Sequence, residues 1–172
     1  WVLSGKADIG IATEGLSQFE DLVSFPCYRW HHSVVVPDGH PLLEKKLITL
    51  ADLAQYSLIT YDLGFTGRGH IDDAFKQADI TTDIVLTAMD SDVIQQYVLL
   101  NLGVGIVASM ALQQNGSNGL KVIDASHLFA QNVTRLAVRR GAYLRQYTYD
   151  FIQQFAPELT RADIDEAMKI HS

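Results

Sequence analysis

The chain has 172 residues, enough for one sizeable core or two small lobes, and 48% of them are hydrophobic while 19% are charged, as in ordinary globular proteins. Twenty acidic against thirteen basic residues give a net charge of −7, which argues against a domain that grips a DNA backbone by itself, because that contact needs Lys and Arg. Cys27 is the only cysteine, which excludes a disulfide framework and favours a reducing compartment. The apolar runs are far shorter than a membrane span.

The N-terminal residues are typical of a chain that begins inside a larger protein. Residues 1–6 have no initiator Met and no secretion signal, and they read as the last turn of a helix that ends at Gly5. The alternating residues 7–13 then predict a strand that runs into a loop at Thr13. A structural role for this threonine and a ligand contact both remain open from the residues alone.

Residues 57–78 carry the clearest functional pattern of the chain. An apolar strand over 58–61 leads through a glycine-rich loop over 64–69 into a residue pattern of helical period. Such a loop leaves backbone N–H groups free at a helix N-terminus, where anions bind. The predicted anion-binding residues are the strand-end Thr60, the loop residues and the following arginine: Gly64, Thr66, Gly67 and Arg68. An ordinary glycine turn is the open alternative.

The remaining pattern alternates strands with helices. Further strands are predicted over 22–29, 33–36, 84–88, 104–108, 120–124 and 133–140. Helices are predicted over 50–56, 92–102 and 144–155 and from 160 onward, with Asp90 or Ser91 as a cap and a polar loop over 113–119. This alternation predicts an α/β fold with largely parallel sheets, in which ligands bind at the carboxyl ends of strands.

Two chain segments, around Trp30 and around residues 128–132, are predicted to cross between lobes. The second lobe would then comprise 33–128, and the first would be assembled from 1–32 and 129–172. Trp30 itself is either a packing residue or, through its indole N–H, a ligand contact.

Several tempting motifs do not fit their chemistry. The run GVGIVA from Gly103 matches a dinucleotide fingerprint, but its glycines end a helix and open a strand, which is the wrong context. His31, His32 and His40 have no further ligands at metal spacing. Cys27 is predicted to be an inert buried thiol. No nucleophile–base arrangement is evident, so we predict no catalytic site, no metal and no cofactor.

Six segments together are similar to the effector-binding domain of LysR-type transcriptional regulators: ADIGIATEG, FPCYRWHHSVVVPDGHPL, LITYDLGFTGRGHIDDAF, DSDVIQQYV, LGVGIVAS and YDFIQQFAPELTR. The resemblance covers essentially the whole chain. Within the family it is strongest to the branch that governs cysteine biosynthesis. The double histidine favours its Cbl-like members, but IATE, Cys27, GFTG and FAPELTR favour its CysB-like members, so the CysB-like assignment is preferred and the Cbl-like one is the close second.

The resemblance implies a two-lobed, periplasmic-binding-protein-like fold with an inducer cleft between the lobes. The cleft would hold N-acetylserine or O-acetylserine as inducer, or an anion such as sulfate or the anti-inducer thiosulfate, and Thr13, Trp30 and Thr66 match family cleft residues. The family's winged helix-turn-helix and the first strands of its first lobe are expected outside this chain, leaving that lobe N-terminally incomplete. The parent protein would be a cytoplasmic, DNA-binding homo-oligomer, a dimer or tetramer. An extracytoplasmic solute-binding protein for a small anion is the alternative.

Overall fold

The computed structural model describes residues 1–13, 15–112 and 119–169. Contacts divide the chain into two compact units: a split unit of Trp1–Arg29 with Val133–Ser172, and a central unit of Trp30–Asn132. The strands are β1 Ile9–Ala12, β2 Leu22–Trp30, β3 His32–Pro37, β4 Ser57–Tyr61, β5 Asp83–Ala88, β6 Val104–Ala108, β7 Leu120–Asp124 and β8 Asn132–Arg139. The α-helices are α1 Leu50–Leu53, α2 Arg68–Gln77, α3 Ser91–Leu99, α4 Gln146–Phe155 and α5 Arg161–Met168. Most of the loop predicted over 113–119 lies outside the described residues.

The central unit is built on a five-stranded sheet in the order β5-β4-β6-β3-β7. Alternate residues of its strands enter different cores: Val34 and Leu58 pack with α1 and α2, whereas Val35 and Ile59 pack with α3. The sheet is therefore covered on both faces, which explains why its inner strands read as continuous apolar runs.

The prediction of largely parallel sheets is wrong for β3. This strand runs antiparallel to both β6 and β7, while β4 runs parallel to β5 and β6. An apolar run reports burial on two faces and carries no strand direction, so the sequence pattern of β3 could not distinguish the two arrangements.

The glycines of the GVGIVA run serve packing. Gly103 lies between the end of α3 and the start of β6, and Gly105 lies within β6. The run therefore follows a helix and opens a strand, as the sequence context predicted. A Cβ on Gly103 would lie 2.5 Å from the carbonyl oxygen of Ser57, and one on Gly105 would lie 2.4 Å from Cγ2 of Val35. Neither position accepts a side chain, because the neighbouring strands approach too closely.

The split unit contains a three-stranded sheet in the order β1-β8-β2. Antiparallel pairing of β1 with β8 sets Ala12 opposite Arg135. Helix α5 begins as predicted, because Thr160 accepts from the N–H of Asp163 in a capping box. Leu136, Ile152 and other apolar residues close the core between sheet and helices. Among all described residues, no helix is long and apolar enough to cross a membrane.

Candidate functional site

The loop between β4 and α2 has an unusual backbone. Gly64 has φ 82°, Thr66 has φ 43° and Gly67, the N-cap of α2, has φ 70°. Glycine adopts this left-handed region freely, whereas a β-branched residue there is strained. The sequence anticipated the glycines of this loop but not the conformation of Thr66.

Several donors of the loop have no partner within the described chain. The N–H of Phe65 donates to Asp62 at 3.2 Å, that of Arg68 to Phe65 at 2.9 Å and that of His70 to Gly67 at 3.0 Å. Between them, the backbone N–H groups of residues 66, 67 and 69 have no acceptor among the described residues. Together with the hydroxyl of Thr66, a residue that is half-buried, they are available to a bound anion.

Two of the predicted contacts have structural partners. Arg68 is only 7% exposed, and its guanidinium donates to the carbonyl of Tyr61 at 2.6 Å and to Asp72 at 2.8 Å. The buried hydroxyl of Thr60 donates to the carbonyl of Ile106 at 3.1 Å. The charge of Arg68 is thus balanced by a carboxylate within its own helix.

The end of β4 is anchored on its other side by Tyr61. Its hydroxyl accepts from the N–H of Ala108 at 2.9 Å and shares a hydrogen bond of 2.5 Å with the hydroxyl of Ser91. Burial raises the pKa of this phenol, which therefore stays neutral. These bonds tie β4 to β6 and to the start of α3, so the loop that follows leaves from a rigid strand end.

A buried histidine supports the loop from behind. His32 Nε2–H donates to the carbonyl of Thr66 at 3.0 Å, and Nδ1 of the same ring accepts from Nδ2 of Asn132 at 3.3 Å. Burial lowers the pKa of His32 from 6.5 to about 4, so the ring is neutral at pH 7 and can fill both roles at once. Sequence reasoning missed both residues; the position of His32 at the start of an apolar strand was the one available signal.

Of the two remaining predicted contacts, Trp30 lies near this loop, whereas Thr13 belongs to the split unit. Trp30, 4% exposed, packs edge-on against His32 with ring centroids 5.2 Å apart. The structure therefore brings Trp30 together with the loop through His32. Thr13 directly follows β1 and is half-buried in the split unit.

Within the described residues, Cys27 and His40 have structural environments and belong to no cluster of metal-ligating side chains. Cys27 is partly buried, and burial raises its pKa. His40 accepts from the N–H of Leu42 at 3.2 Å as a helix cap. Among the described residues, no three metal-ligating side chains form a cluster.

Comparison with known proteins identifies the fold family. The LysR substrate binding domain matches residues 1–160. The chain belongs to this family. Its structure superimposes with a TM-score of 0.92 on the crystal structure of the cofactor-binding domain of the Cbl transcriptional regulator, at 44% identity, covering 98% of this chain and 75% of that one. The α/β, periplasmic-binding-protein-like fold expected from the sequence is thereby confirmed.

Related regulators place the chain within a branch of the LysR family. It is 52% identical over 95% of its length to the transcriptional regulator SsuR of Burkholderia cenocepacia, and 51% identical over 98% to CysB of the same organism. The chain covers 53% and 54% of those proteins, about half of their length. The expected relation to CysB and Cbl regulators is confirmed, and SsuR, which the sequence reading did not consider, is equally similar.

Proposed function

We propose that this chain is the effector-sensing domain of a LysR-type regulator of cysteine biosynthesis and sulfur assimilation. Its effector would be N-acetylserine or O-acetylserine, or an inorganic anion such as sulfate or thiosulfate. The proposed contacts are Thr13 of the split unit with six residues of the central unit: Trp30, Thr60, Gly64, Thr66, Gly67 and Arg68. Similarity to CysB, SsuR and Cbl regulators supports this assignment.

The observation that carries the proposal is the conformation of Thr66. A β-branched residue at φ 43° costs on the order of 1–3 kcal/mol, and such strain concentrates at ligand-binding loops. Thr66 lies at the N-terminus of α2, beside backbone N–H groups that have no acceptor among the described residues. A helix N-terminus with free donors favours an anion.

Electrostatics around the loop suit a small anion held mainly by neutral donors. Arg68 is paired with Asp72, and His32 is neutral. Asp62, whose carboxylate adjoins the loop, accepts from the hydroxyl of Thr87. Hydroxyl and amide donors would thus bind a sulfate or carboxylate group, as they do at helix N-termini elsewhere.

The similarity to relatives supports a proposal for the role of the whole protein. Their names identify transcriptional regulators, so we infer a cytoplasmic, homo-oligomeric DNA-binding protein in which this domain senses the effector and performs no catalysis. A bound effector could bias the regulator only through different affinities for its conformations. A Cbl-type role, in sulfonate use or sulfate starvation, is the second candidate because of the match to the Cbl domain; transcript profiles of a deletion strain on sulfate and on a sulfonate distinguish the two.

Calorimetric titration tests the site. N-acetylserine, O-acetylserine, sulfate and thiosulfate are titrated into this chain and into the full-length protein. Thr66→Ala removes the hydroxyl, and Thr66→Gly removes it while also relieving the backbone strain. If the hydroxyl contacts the anion, both variants bind about ten-fold more weakly, as expected for one lost hydrogen bond to a charged group. Absence of binding to any of the four compounds by the full-length protein would refute the proposed function.

A further inference from the structure

The two crossover segments of the chain touch each other inside the central unit. The chain leaves the split unit after Arg29 and returns to it at Val133. Near the first crossing lie His31 and His32, and near the second lie residues 131–132. Nε2 of Gln131 lies 3.3 Å from Nε2 of His31, and Nδ2 of Asn132 donates to Nδ1 of His32 at 3.3 Å. Two successive side-chain pairs therefore bridge the crossovers.

Both members of the second pair also touch the Thr66 loop. Nε2–H of His32 donates to the carbonyl of Thr66. On the other side, a Cβ placed on Gly67 would lie 2.1 Å from Oδ1 of Asn132, so the amide packs directly against this backbone. The loop is thus held by one hydrogen bond from the first crossover and by close packing from the second.

This arrangement has little freedom to adjust. His32 and Asn132 are both fully buried, and the imidazole makes edge-on contacts with the rings of Trp30 and Phe129, with centroid distances of 5.2 and 5.7 Å. The backbone of the first crossover is fixed as well, because the N–H of Ser109 donates to the carbonyl of His31 at 2.8 Å. Moving a crossover must therefore shift the carbonyl of Thr66 or leave a buried polar group without its partner.

We propose that His32 and Asn132 are positioning residues that couple the conformation of the two crossover segments to that of the Thr66 loop. The role of this coupling in signalling rests on the proposed anion site. An anion that stabilises the loop would bias the conformation of the crossovers, and by reciprocity the conformation of the crossovers would set the affinity of the loop for the anion. The connection between crossovers and loop itself stands on the contacts described above.

The coupling is tested first without ligand, by amide NMR of this chain. His32→Phe keeps a ring against Trp30 and Phe129 but removes both hydrogen bonds, and His32→Gln restores one donor. Asn132→Ala removes the packing against Gly67. We expect the Thr66 and Gly67 amides to shift and to exchange faster in His32→Phe and Asn132→Ala, and less so in His32→Gln. Val36→Ala, a core truncation on the same strand, controls for lost stability and should leave these amides unchanged.

The second measurement uses sulfate and N-acetylserine as probes. In the parent chain, saturating probe should shift the amides of His31 and Gln131, and His32→Phe should abolish this response while weakening binding about ten-fold. Val36→Ala should bind with the parent affinity. Loop amides that stay at their parent positions in both His32→Phe and Asn132→Ala would overturn the inference. If the parent chain binds neither probe, the anion site fails, and the ligand-free spectra still decide the coupling.

Discussion

Substituting Gly67 tests the contact between the loop and Asn132. Gly67→Ala puts a Cβ at φ 70° and 2.1 Å from Oδ1 of Asn132. The left-handed conformation costs about 1–2 kcal/mol for alanine, and overpacking a buried contact adds about 1–3 kcal/mol. We therefore expect the free energy of unfolding of the central unit to fall by about 2–5 kcal/mol.

Gly64 provides the matched control. It lies in the same loop at φ 82°, but a Cβ there meets nothing within 4 Å. Gly64→Ala should therefore lose only the conformational part, about 1–2 kcal/mol. The difference between the two variants isolates the contact with Asn132. Combining Gly67→Ala with Asn132→Ala should recover that difference in a double-mutant cycle.

Tryptophan fluorescence during urea unfolding measures these changes. The chain has two tryptophans; Trp1 is 88% exposed and Trp30 is 4% exposed. In a Trp1→Phe background, Trp30 reports on the central unit alone, which matters because two units need not unfold in one transition. Equal losses for Gly64→Ala and Gly67→Ala, or no recovery in the double variant, would refute the packing argument.

Three further outcomes follow from the side-chain environments. Because the pKa of His32 is lowered from 6.5 to about 4, the unfolded chain binds a proton between these pH values that the folded chain does not. The free energy of unfolding, measured by urea titration, should therefore fall by about 3 kcal/mol from pH 6.5 to pH 4. His32→Gln should give a flatter profile, and an equally steep one would contradict the assignment to His32. In Arg68→Lys, the single ammonium group cannot reach both the carbonyl of Tyr61 and the carboxylate of Asp72, so the free energy of unfolding in the same assay should fall by about 2 kcal/mol. An unchanged urea midpoint would contradict this structural role of Arg68. Cys27, with its raised pKa, should react with a disulfide reagent at pH 7 far more slowly in the folded chain than in urea; equal rates would show an accessible thiolate.

The strands and helices were predictable because their patterns are local. The loop at Gly64 and Gly67 combined a strand end, glycines and a helical period within one short segment, and the structure confirms a strand, a loop and a helix there. Helix α5 was predictable from its capping sequence for the same reason. Each of these features depends on residues a few positions apart.

The supporting network was not predictable, because it depends on distant residues and on burial. His32 and Asn132 are a hundred positions apart, and nothing in the local sequence of either residue indicates that its side chain is buried. Arg68 shows a related limit: its position suggested a charge for an anion, but nothing in the local sequence indicated that its guanidinium also donates to Tyr61 and Asp72. Local sequence reports which groups are present, and only the fold decides which of them are already engaged.

The strained backbone of Thr66 depends on the buried contacts of His32 and Asn132. A glycine at this position would adopt φ 43° without cost, but it would also let the loop populate other conformations. Threonine keeps a hydroxyl at the helix end only if its surroundings hold the backbone, and the His32 hydrogen bond to its carbonyl together with the close packing at Gly67 does so. Since His32 and Asn132 both adjoin the crossovers, the contacts that fix the loop are the same contacts through which the proposed anion would act on the crossovers.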